Sequence, residues 1–381
     1  MSEMTPRERV LTALAHKEPD RLPVDFMGTA SCMVDAAYYA LRDRMGLQGD
    51  GRIFRRGENT RFYDDRILEA LGVDFRRLWL REPAGWEPRL AEAGTIEDAW
   101  GLRRRRIGDL LSYVNAPLEG ATVSELARYP WPDPRAPGRV EGLAEEARKL
   151  HEDGRYAIVA RAPTLGIFDL AQRLRGMQQF LMDLLTDKPF ALALIHKLKE
   201  VQMGFYDALL TAVGPYVDIV ETGDDYGAQS GPLISPGTFR EMIAPARGEL
   251  NQWIKNKAPG AKIFLHSDGA VFKLIPTFIE IGVDILNPVE PDVPGNAPEA
   301  LKRTFGSELV FHGHLDNKGA LRGSLEEVRA EVRRVFDGMG PGGGFIMAPT
   351  NHIQVDVPAD NILELYRYAH EYGRYGVDRQ T

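Results

Sequence analysis

The acidic segment 221–229 is the first candidate for a chemical role, because it directly follows a short apolar run. Glu221, Asp224 and Asp225 place three carboxylates within five residues, and such a group cannot ionise fully in a closed pocket without cations or shared protons. We therefore expect metal ligation, proton transfer, or a polyhydroxylated or cationic substrate here. Asp224 and Asp225 are the acid–base candidates, and Glu221 and Gln229 are candidate substrate contacts. A solvated acidic loop is the alternative.

A metal site is predicted from two further segments. His266 and Asp268 end another apolar run, and their spacing puts both side chains on one side of an emerging strand. Histidine and carboxylate ligands with an open coordination position suit zinc or another divalent ion. His352 could meet His266 only over a central ligand, so the predicted ligands are His266, Asp268, His352 and Asp225. The alternative is an empty site in which His266 and Asp268 hydrogen-bond and act as an acid–base pair.

His312 and His314 stand at alternate positions after the apolar run Leu309–Phe311, which predicts that both lie on the same side of a strand. Asp316 could orient either ring, since a carboxylate fixes the tautomer of a catalytic or metal-binding histidine. Both histidines are candidate catalytic residues. Structural packing of one of them is the alternative.

Three more polar residues end apolar runs and are candidate substrate contacts, namely Asp25, Arg161 and Asn287. Arg161 suits an anionic substrate, because the planar guanidinium matches the geometry of a carboxylate. A salt bridge between Arg161 and a nearby acid is the alternative.

The elements that must position these side chains are buried strands, because continuous apolar runs are typical of parallel strands covered by helices on both faces. A (β/α)8 TIM barrel collects its reactive groups at the carboxyl ends of such strands, and helix-like segments alternate with the runs. The sequence predicts an α/β fold with a single barrel domain over 1–381. An insertion of loops and small hairpins, 82–135, separates barrel units two and three. A doubly wound open sheet is the alternative, which polar residues at every strand end disfavour.

The expected strands begin near residues 22, 75, 156, 217, 262, 283, 309 and 345. A short helix that Thr5 caps should precede them, and the helices expected after the insertion are 141–152, 168–186, 188–213, 236–256, 270–281, 297–304, 324–338 and 360–373.

Composition excludes several function classes. The net charge of −8 argues against nucleic-acid binding, which needs a basic surface. No run reaches membrane-spanning length, and the start of the chain has no apolar signal core. The single cysteine, Cys32, excludes internal disulfides and a thiolate-rich metal site. We expect a cytoplasmic protein with a small-molecule substrate and with neither a nucleic-acid nor a membrane partner.

Several motifs, spread over most of the chain, resemble those of the uroporphyrinogen decarboxylase superfamily, which also includes methylcobalamin-dependent methyltransferases. The resemblance implies a single (β/α)8 domain, often a homodimer, with its site at the barrel mouth. The matching stretches are Thr5–Leu14, Arg21–Val24, Gly231–Pro236 with Phe239, Arg240 and Pro245, Phe264–His266, Ile281–Asp284, Gly342–Phe345 and Pro358–Asn361.

Departures from the family pattern bear on the activity. True decarboxylases of this family carry an arginine-rich motif where this chain has the arginine-free stretch Asp25–Cys32, so haem synthesis is not expected. The methyltransferase branch binds zinc through a His-x-Cys pair and a later cysteine. Here His266 matches the histidine, Asp268 replaces the first cysteine, and the region of Asn351 and His352 replaces the second. Nitrogen and oxygen ligands would leave a more Lewis-acidic ion than thiolate ligands do, and such an ion is better at polarising an ether, alkoxide or carbonyl oxygen.

Three functions remain open at this point. The first is a metal-dependent methyltransferase or demethylase, which moves a methyl group between a small methylated substrate and a corrinoid carried by a partner protein, with zinc as the expected ion. The second is a decarboxylase or other lyase that uses Arg161 as anchor and Asp224 with Asp225 as acid–base groups. The third is a non-catalytic protein that binds a corrinoid or another tetrapyrrole.

Overall fold

Seven parallel strands form the central sheet of the computed structural model, which describes residues 3–28, 31–91, 94–107, 110–162 and 165–377. Neighbours along the chain are neighbours in the sheet, and every strand pair is parallel. This order confirms the α/β, TIM-barrel-like prediction. The strands are Phe75–Trp79 (β1), Ala157–Arg161 (β2), Ile219–Gly223 (β3), Lys262–His266 (β4), Ile285–Asn287 (β5), Val310–Leu315 (β6) and Phe345–Pro349 (β7).

The segment expected to form the first strand joins the two edges of this sheet without being a regular strand. Val24 forms an isolated parallel bridge with Met347 of β7. The Asp25 N–H donates to the Met347 carbonyl over 2.9 Å, and the Asp74 N–H beside β1 donates to the Val24 carbonyl over 3.1 Å. Pro23 has no N–H to donate, and Met27 has a φ of 55°, so the extended backbone is short. The prediction of a strand near residue 22 is therefore wrong. Residues 22–27 form a short irregular segment between the two edges of the sheet, which we call the closing segment.

Buried ion pairs around Asp74, just before β1, hold the closing segment in place. The side chain of Asp74 is fully buried and binds Arg9 at 2.6 Å and Arg21 at 2.9 Å. It also accepts the Val24 N–H over 2.9 Å. The helix that carries Arg9 begins with the predicted cap, since Thr5 and Glu8 form a reciprocal capping box.

Helices follow the strands as the sequence predicts, with four differences. The expected helix 168–186 is two helices that part at Gly176, whose φ is 88°. The expected helix 236–256 contains a π-helical turn. The expected helix 270–281 is a 3-10 turn followed by a shorter α-helix. Three helices were not predicted, two before β1 and one between β1 and β2. The helices are Pro6–Leu14, Asp35–Arg44, Asp65–Ala70, Val123–Leu126, Leu143–Asp153, Ile167–Arg175, Met177–Thr186, Lys188–Val213, Pro236–Thr238 continuing through the π-helical Phe239–Ile243 into Ala244–Lys257, Ile275–Glu280, Pro298–Phe305, Leu325–Met339 and Ala359–Tyr372, with 3-10 turns at Gly214–Tyr216, Phe272–Leu274 and Ala320–Arg322.

Between β1 and β2 the described residues include a second, antiparallel sheet of four strands. Trp100 connects this region to the barrel, since its ring lies 6.3 Å from that of Trp131 and 6.1 Å from that of Phe205 on the long helix Lys188–Val213. A separate short hairpin, which precedes β1 in the chain, pairs Arg52–Ile53 with Phe62–Tyr63. The four strands are Arg89–Ala91, Thr95–Glu97, Arg103–Ile107 and Leu110–Tyr113.

The described helices include none that is long and apolar enough to cross a membrane. Thr29 and Ala30, in the middle of the arginine-free stretch, lie outside the described residues.

Candidate metal centre and substrate cavity

A cavity of about 450 Å³ opens at the carboxyl ends of the barrel strands. Loops before β1 and the segment between β1 and β2 cover its outer part with aromatic and arginine side chains. The lining includes Trp79, Arg161, Asp169, Asp224, Asp225, His266, Asp268, Asn351 and His352 from the barrel, Phe54 and Arg55 from the loops before β1, and Trp86, Trp100, Arg104 and Tyr113 from the segment between β1 and β2.

Three of the predicted ligands form one cluster in this cavity. The Nε2 atom of His266 lies 3.6 Å from Oδ1 of Asp225 and 3.6 Å from Oδ1 of Asp268. One ligand atom from each of the three residues lies within 4.8 Å of the others. Such a cluster at the end of a barrel strand is positioned to act on a molecule in the cavity.

Two glycines allow the loops that carry the carboxylates to meet. A Cβ atom on Gly227 would lie 2.5 Å from the Asp268 carbonyl oxygen, and one on Gly269 would lie 2.6 Å from the carbonyl carbon of Gly227. Gly269 also has a φ of 81°, which favours glycine. The Asp268 N–H donates to Asp225 Oδ1 over 3.0 Å and holds the two loops together.

The cluster fits a divalent cation. Ligand atoms about 2.1 Å from a tetrahedral zinc ion are about 3.4 Å apart, close to the 3.6 Å between His266 and each carboxylate. Oδ1 of Asp268 is buried and has no hydrogen-bond partner among the described residues, which is costly for a carboxylate oxygen unless a cation or a donor reaches it. A donor set of one nitrogen and two oxygens suits zinc or a harder ion.

The charges in the cluster favour a cation at this position, which is either a metal ion or the proton of His266 itself. Burial opposes the imidazolium form of His266, but Asp268 and Asp225 outweigh burial and raise the pKa of His266 to about 10. Burial also opposes ionisation of Asp268, yet His266 holds the pKa of that carboxyl below its usual range. The site is therefore built to hold a positive charge between two carboxylates.

Beneath the cluster, a chain of hydrogen bonds runs into the barrel. Nδ1 of His266 lies 2.6 Å from Oδ1 of Asn287, and Nδ2 of Asn287 lies 2.8 Å from Nδ1 of His312. Nε2 of His312 lies 2.8 Å from Oδ2 of Asp25. Asn287, His312 and Asp25 are buried and are not among the described residues that line the cavity. The structure thus places these three predicted site residues under the cavity floor.

Buried arginines balance the acids around this chain. Arg77 binds both oxygens of Asp25 at 2.9 and 2.5 Å and lies 3.6 Å from Glu221. Arg161 binds the other oxygen of Glu221 at 2.9 Å, which is the salt bridge considered as the alternative role for Arg161. Because Arg77 pairs with Asp25 and His312 forms a hydrogen bond with it, the pKa of Asp25 is lowered in spite of its burial. The charge of Asp25 therefore does not bear on the charge of a substrate.

The remaining residues of the acidic segment have separate partners. Asp224 accepts the N–H groups of Phe168 and Asp169 over 3.1 and 2.8 Å, at the start of the helix Ile167–Arg175, and the Tyr226 hydroxyl over 2.7 Å. Gln229 is exposed, and its Nε2 donates to the Asp292 carbonyl over 3.3 Å. The segment is therefore neither a solvated loop nor a single acidic cluster. The catalytic role of Asp224 and the substrate contact of Gln229 stay predictions.

His312 and His314 do not share a side of β6, contrary to the prediction. His314 donates from Nδ1 to the Val289 carbonyl over 2.6 Å, and its Nε2 lies 3.4 Å from Arg334 on the helix Leu325–Met339. Gly313 and His314 have φ values of 110° and 68°, and these left-handed conformations interrupt the alternation of a regular strand. Of the two, only His312 faces the barrel interior. His314 instead packs against the helix Leu325–Met339, which is a structural role.

His352 lines the cavity beside the cluster. Its Nδ1 accepts the Cys32 N–H over 3.3 Å. Burial and the neighbouring Arg55 lower the pKa of His352 to about 3, so the ring is neutral and carries its proton on Nε2. In this arrangement His352 offers the cavity a donor rather than a lone pair. Its assignment as a metal ligand stays a prediction.

Sequence reasoning missed two charged residues of the site. Burial raises the pKa of Asp169 to about 7, with Asp225 and Asp224 adding to the effect against Arg173. Asp169 lies in the first turn of a helix that follows a barrel strand, which is a position that faces the mouth. Arg76 and Arg77 together interrupt the apolar run that begins at Phe75, and this was the available signal that one side of β1 is not an ordinary core.

Comparisons with known proteins agree with the fold. The family model described as "Uroporphyrinogen decarboxylase (URO-D)" matches residues 102–372. A uroporphyrinogen decarboxylase of Neisseria gonorrhoeae is 26% identical over 160 residues, which cover 39% of this chain and 43% of that protein. The chain thus spans less than half the length of that relative. A methyltransferase from Methanosarcina mazei superimposes with a TM-score of 0.66 over 97% of this chain and 99% of that structure, at 19% identity, which is evidence for the fold alone.

Proposed function

Since the chain belongs to the uroporphyrinogen decarboxylase (URO-D) family, we propose that it is a metal-dependent methyltransferase or demethylase of that family. The cluster of Asp225, His266 and Asp268 beside the cavity is the observation that supports this proposal most strongly. These residues would hold a divalent ion, with zinc as the expected one. The bound ion would supply Lewis acidity at an ether, alkoxide or carbonyl oxygen of the substrate.

The protein side chains provide the other requirements of the reaction. Asp169 has a pKa of about 7, so its carboxyl group is suited to give a proton to an oxygen that loses its methyl group, or to take one back. Neutral His352 donates from Nε2 and would orient a polar group of the substrate. The aromatic rings of Trp79, Trp86 and Trp100 give the outer cavity the apolar walls that small-molecule sites use to exclude water.

The partner in this proposal is a protein that carries a corrinoid as methyl acceptor or donor. The cavity opens between the barrel mouth and the antiparallel sheet, where such a cofactor would have to approach. A homodimer, which the family resemblance implies, stays a prediction.

Metal content tests the proposal. Purified protein should hold about one divalent ion per chain by mass spectrometry of the elements, and His266→Ala should hold almost none. His196→Ala, which removes an exposed histidine on the helix Lys188–Val213, is the matched control and should bind as the wild type does. A stoichiometric ion that survives His266→Ala would show that the ligand assignment is wrong.

The methyl-transfer step is tested with free cob(I)alamin and a panel of small methyl ethers and methylamines, by the absorbance of methylcobalamin. Wild-type protein with the ion restored should transfer methyl groups from at least one class of compound. Asp225→Asn and Asp268→Asn should lose most of this activity together with their metal. Transfer that persists in metal-free protein would exclude the proposed role of the ion.

A decarboxylase or other lyase is the second candidate, and Asp169 favours it. A carboxyl group with a pKa of about 7, in a cavity that Arg161 also lines, suits protonation of a carbanion formed when an anchored carboxylate leaves. Release of CO2 from a carboxylated substrate by metal-free protein, with loss of that release in Asp169→Asn, would favour this reaction over methyl transfer.

A further inference from the structure

The buried chain from Asp25 to His266 has a defined direction of hydrogen bonding. The carboxylate of Asp25 only accepts, so the Nε2 atom of His312, 2.8 Å away, must donate to it. This leaves the lone pair of the His312 ring on Nδ1. Nδ2 of Asn287 donates to that lone pair over 2.8 Å.

The orientation of the Asn287 amide is supported by a second contact. Nδ2 of Asn287 also lies 3.4 Å from the carbonyl oxygen of His312, which only accepts. With its nitrogen towards His312, the amide presents Oδ1 to His266. An amide oxygen also only accepts, so Nδ1 of His266, 2.6 Å away, carries a proton. The Nε2 atom of His266 is thereby left as the one ring atom that can bind a cation.

We propose that Asp25, acting through His312 and Asn287, sets the tautomer of His266 and so keeps Nε2 available to the metal. The proposal rests on the proposed function for its effect on metal binding, but not for the tautomers themselves. Asp25, His312 and Asn287 are then positioning residues rather than substrate contacts or catalytic groups. Partners of this kind raise the metal affinity of a histidine by about 10- to 100-fold in other metal sites.

The substitution Asp25→Asn reverses the direction of the hydrogen bonds in the chain. An asparagine can accept from Nη1 of Arg77 through its oxygen and donate from its amide nitrogen to Nε2 of His312. This nitrogen replaces the oxygen that accepts from Nη2 of Arg77, so that one contact is lost. His312 would then carry its proton on Nδ1 and require the oxygen of Asn287. The rotated Asn287 amide would donate to Nδ1 of His266, whose proton would have to move to Nε2, the position that the metal needs.

The first readout is the tautomer of His312, which requires neither metal nor activity. In protein labelled with 15N-histidine, and with His312→Gln to assign the signals, wild-type His312 should show a protonated Nε2 and an unprotonated Nδ1. Asp25→Asn should show the opposite pattern. A wild-type His312 protonated on Nδ1, or an unchanged pattern in Asp25→Asn, would overturn the proposal whatever the protein's activity.

The second readout is zinc affinity by competition with a chelator. Asp25→Asn should bind zinc about 10- to 100-fold more weakly than the wild type. The matched control is Asp183→Asn, which also removes a buried charge beside an arginine, here Arg175 at 2.8 Å, but lies on a helix outside the chain. It should bind zinc normally. An equal loss of zinc affinity in both variants would mean that removal of any buried charge disturbs the fold, and it would overturn the proposal.

A rescue separates the tautomer effect from misfolding. In the double variant Asp25→Asn, Asn287→Asp, a carboxylate at position 287 accepts from Nδ1 of His266 whichever way His312 is protonated. Zinc affinity should return to within a few-fold of the wild-type value, whereas a double variant as weak as Asp25→Asn would contradict the proposal. If wild-type protein binds no zinc, the proposed function fails, and the His312 pattern still decides the direction of the chain.

Discussion

At the scale of single residues, four histidines that look alike in the sequence have four different surroundings. His266 faces two carboxylates, His312 lies in a buried hydrogen-bonded chain, His314 packs against an outer helix, and His352 accepts a backbone N–H beside the cavity. Position after an apolar run predicted His266 and His352 at the cavity. It could not separate His312 from His314, because their directions depend on the backbone conformation of Gly313.

Removal of His314 should reduce the acid sensitivity of the fold. Burial lowers the pKa of His314 from 6.5 to about 4, so the unfolded chain binds a proton more readily than the folded chain. The stability contributed by neutral His314 is complete above pH 6.5 and is lost as the pH falls towards 4. The difference in pKa corresponds to about 3 kcal/mol.

The measurement is the free energy of unfolding in urea between pH 7 and pH 4. His314→Asn, which tolerates the left-handed backbone and can still donate to Val289, should show a shallower loss of stability on acidification than the wild type. His196→Gln is the control and should follow the wild-type curve. A His314→Asn curve parallel to that of the wild type would show that this histidine does not titrate as its burial implies.

At the scale of elements, the strands were largely predictable, because buried parallel strands must be continuous and apolar. Strands predicted near residues 75, 262 and 345 begin at Phe75, Lys262 and Phe345. The prediction failed at Pro23 and Met27, where backbone chemistry overrides an apolar pattern. It also missed Arg77, since the interior of the barrel accepts a charge only when partners from distant segments, here Asp25 and Glu221, are in place.

The loops after β3 and β4 meet through glycine, and this contact should control the geometry of the metal site. Gly227→Ala would push a Cβ atom to 2.5 Å from the Asp268 carbonyl oxygen, so the two loops must separate. We expect zinc affinity to fall at least about 10-fold and the free energy of unfolding to fall by about 1–3 kcal/mol.

Gly231→Ala is the matched control, because it lies in the same loop and its added Cβ would meet no atom of the described residues within 4 Å. Both quantities should be unchanged in that variant. Zinc affinity in Gly227→Ala equal to that of Gly231→Ala would mean that the close approach of the two loops does not position the ligands.

At the scale of the whole molecule, the barrel and the covering segments have separate tasks. The barrel supplies the cluster and the buried chain, while the loops before β1 and the segment between β1 and β2 bring Phe54, Trp86, Trp100 and Tyr113 over the cavity. The sequence could predict where the residues of the cluster lie, since the strand ends converge by the geometry of the barrel. It could not predict which residues cover the cavity, because no comparable rule says where loops and short hairpins fold back.

Closure of the barrel depends on one carboxylate at its base. Asp74 is fully buried, pairs with Arg9 and Arg21, and accepts the N–H of Val24 in the closing segment. Asp74→Ala would leave two arginines without their shared partner and Val24 without its acceptor. Breaking a buried ion pair on one side costs about 3–5 kcal/mol, and we expect a loss of this size in the free energy of unfolding.

The control for Asp74→Ala is Asp360→Ala, since Asp360 pairs with Arg44 at the surface, where both side chains are 57% exposed. Such a pair contributes little to stability, and that variant should have the same free energy of unfolding as the wild type.

Asp74→Ala should also weaken zinc binding, because the closing segment carries Asp25. We expect this effect although Asp74 lies at the opposite end of the barrel from the cluster. Normal zinc affinity in a destabilised Asp74→Ala protein would show that the closing segment keeps its place without this carboxylate.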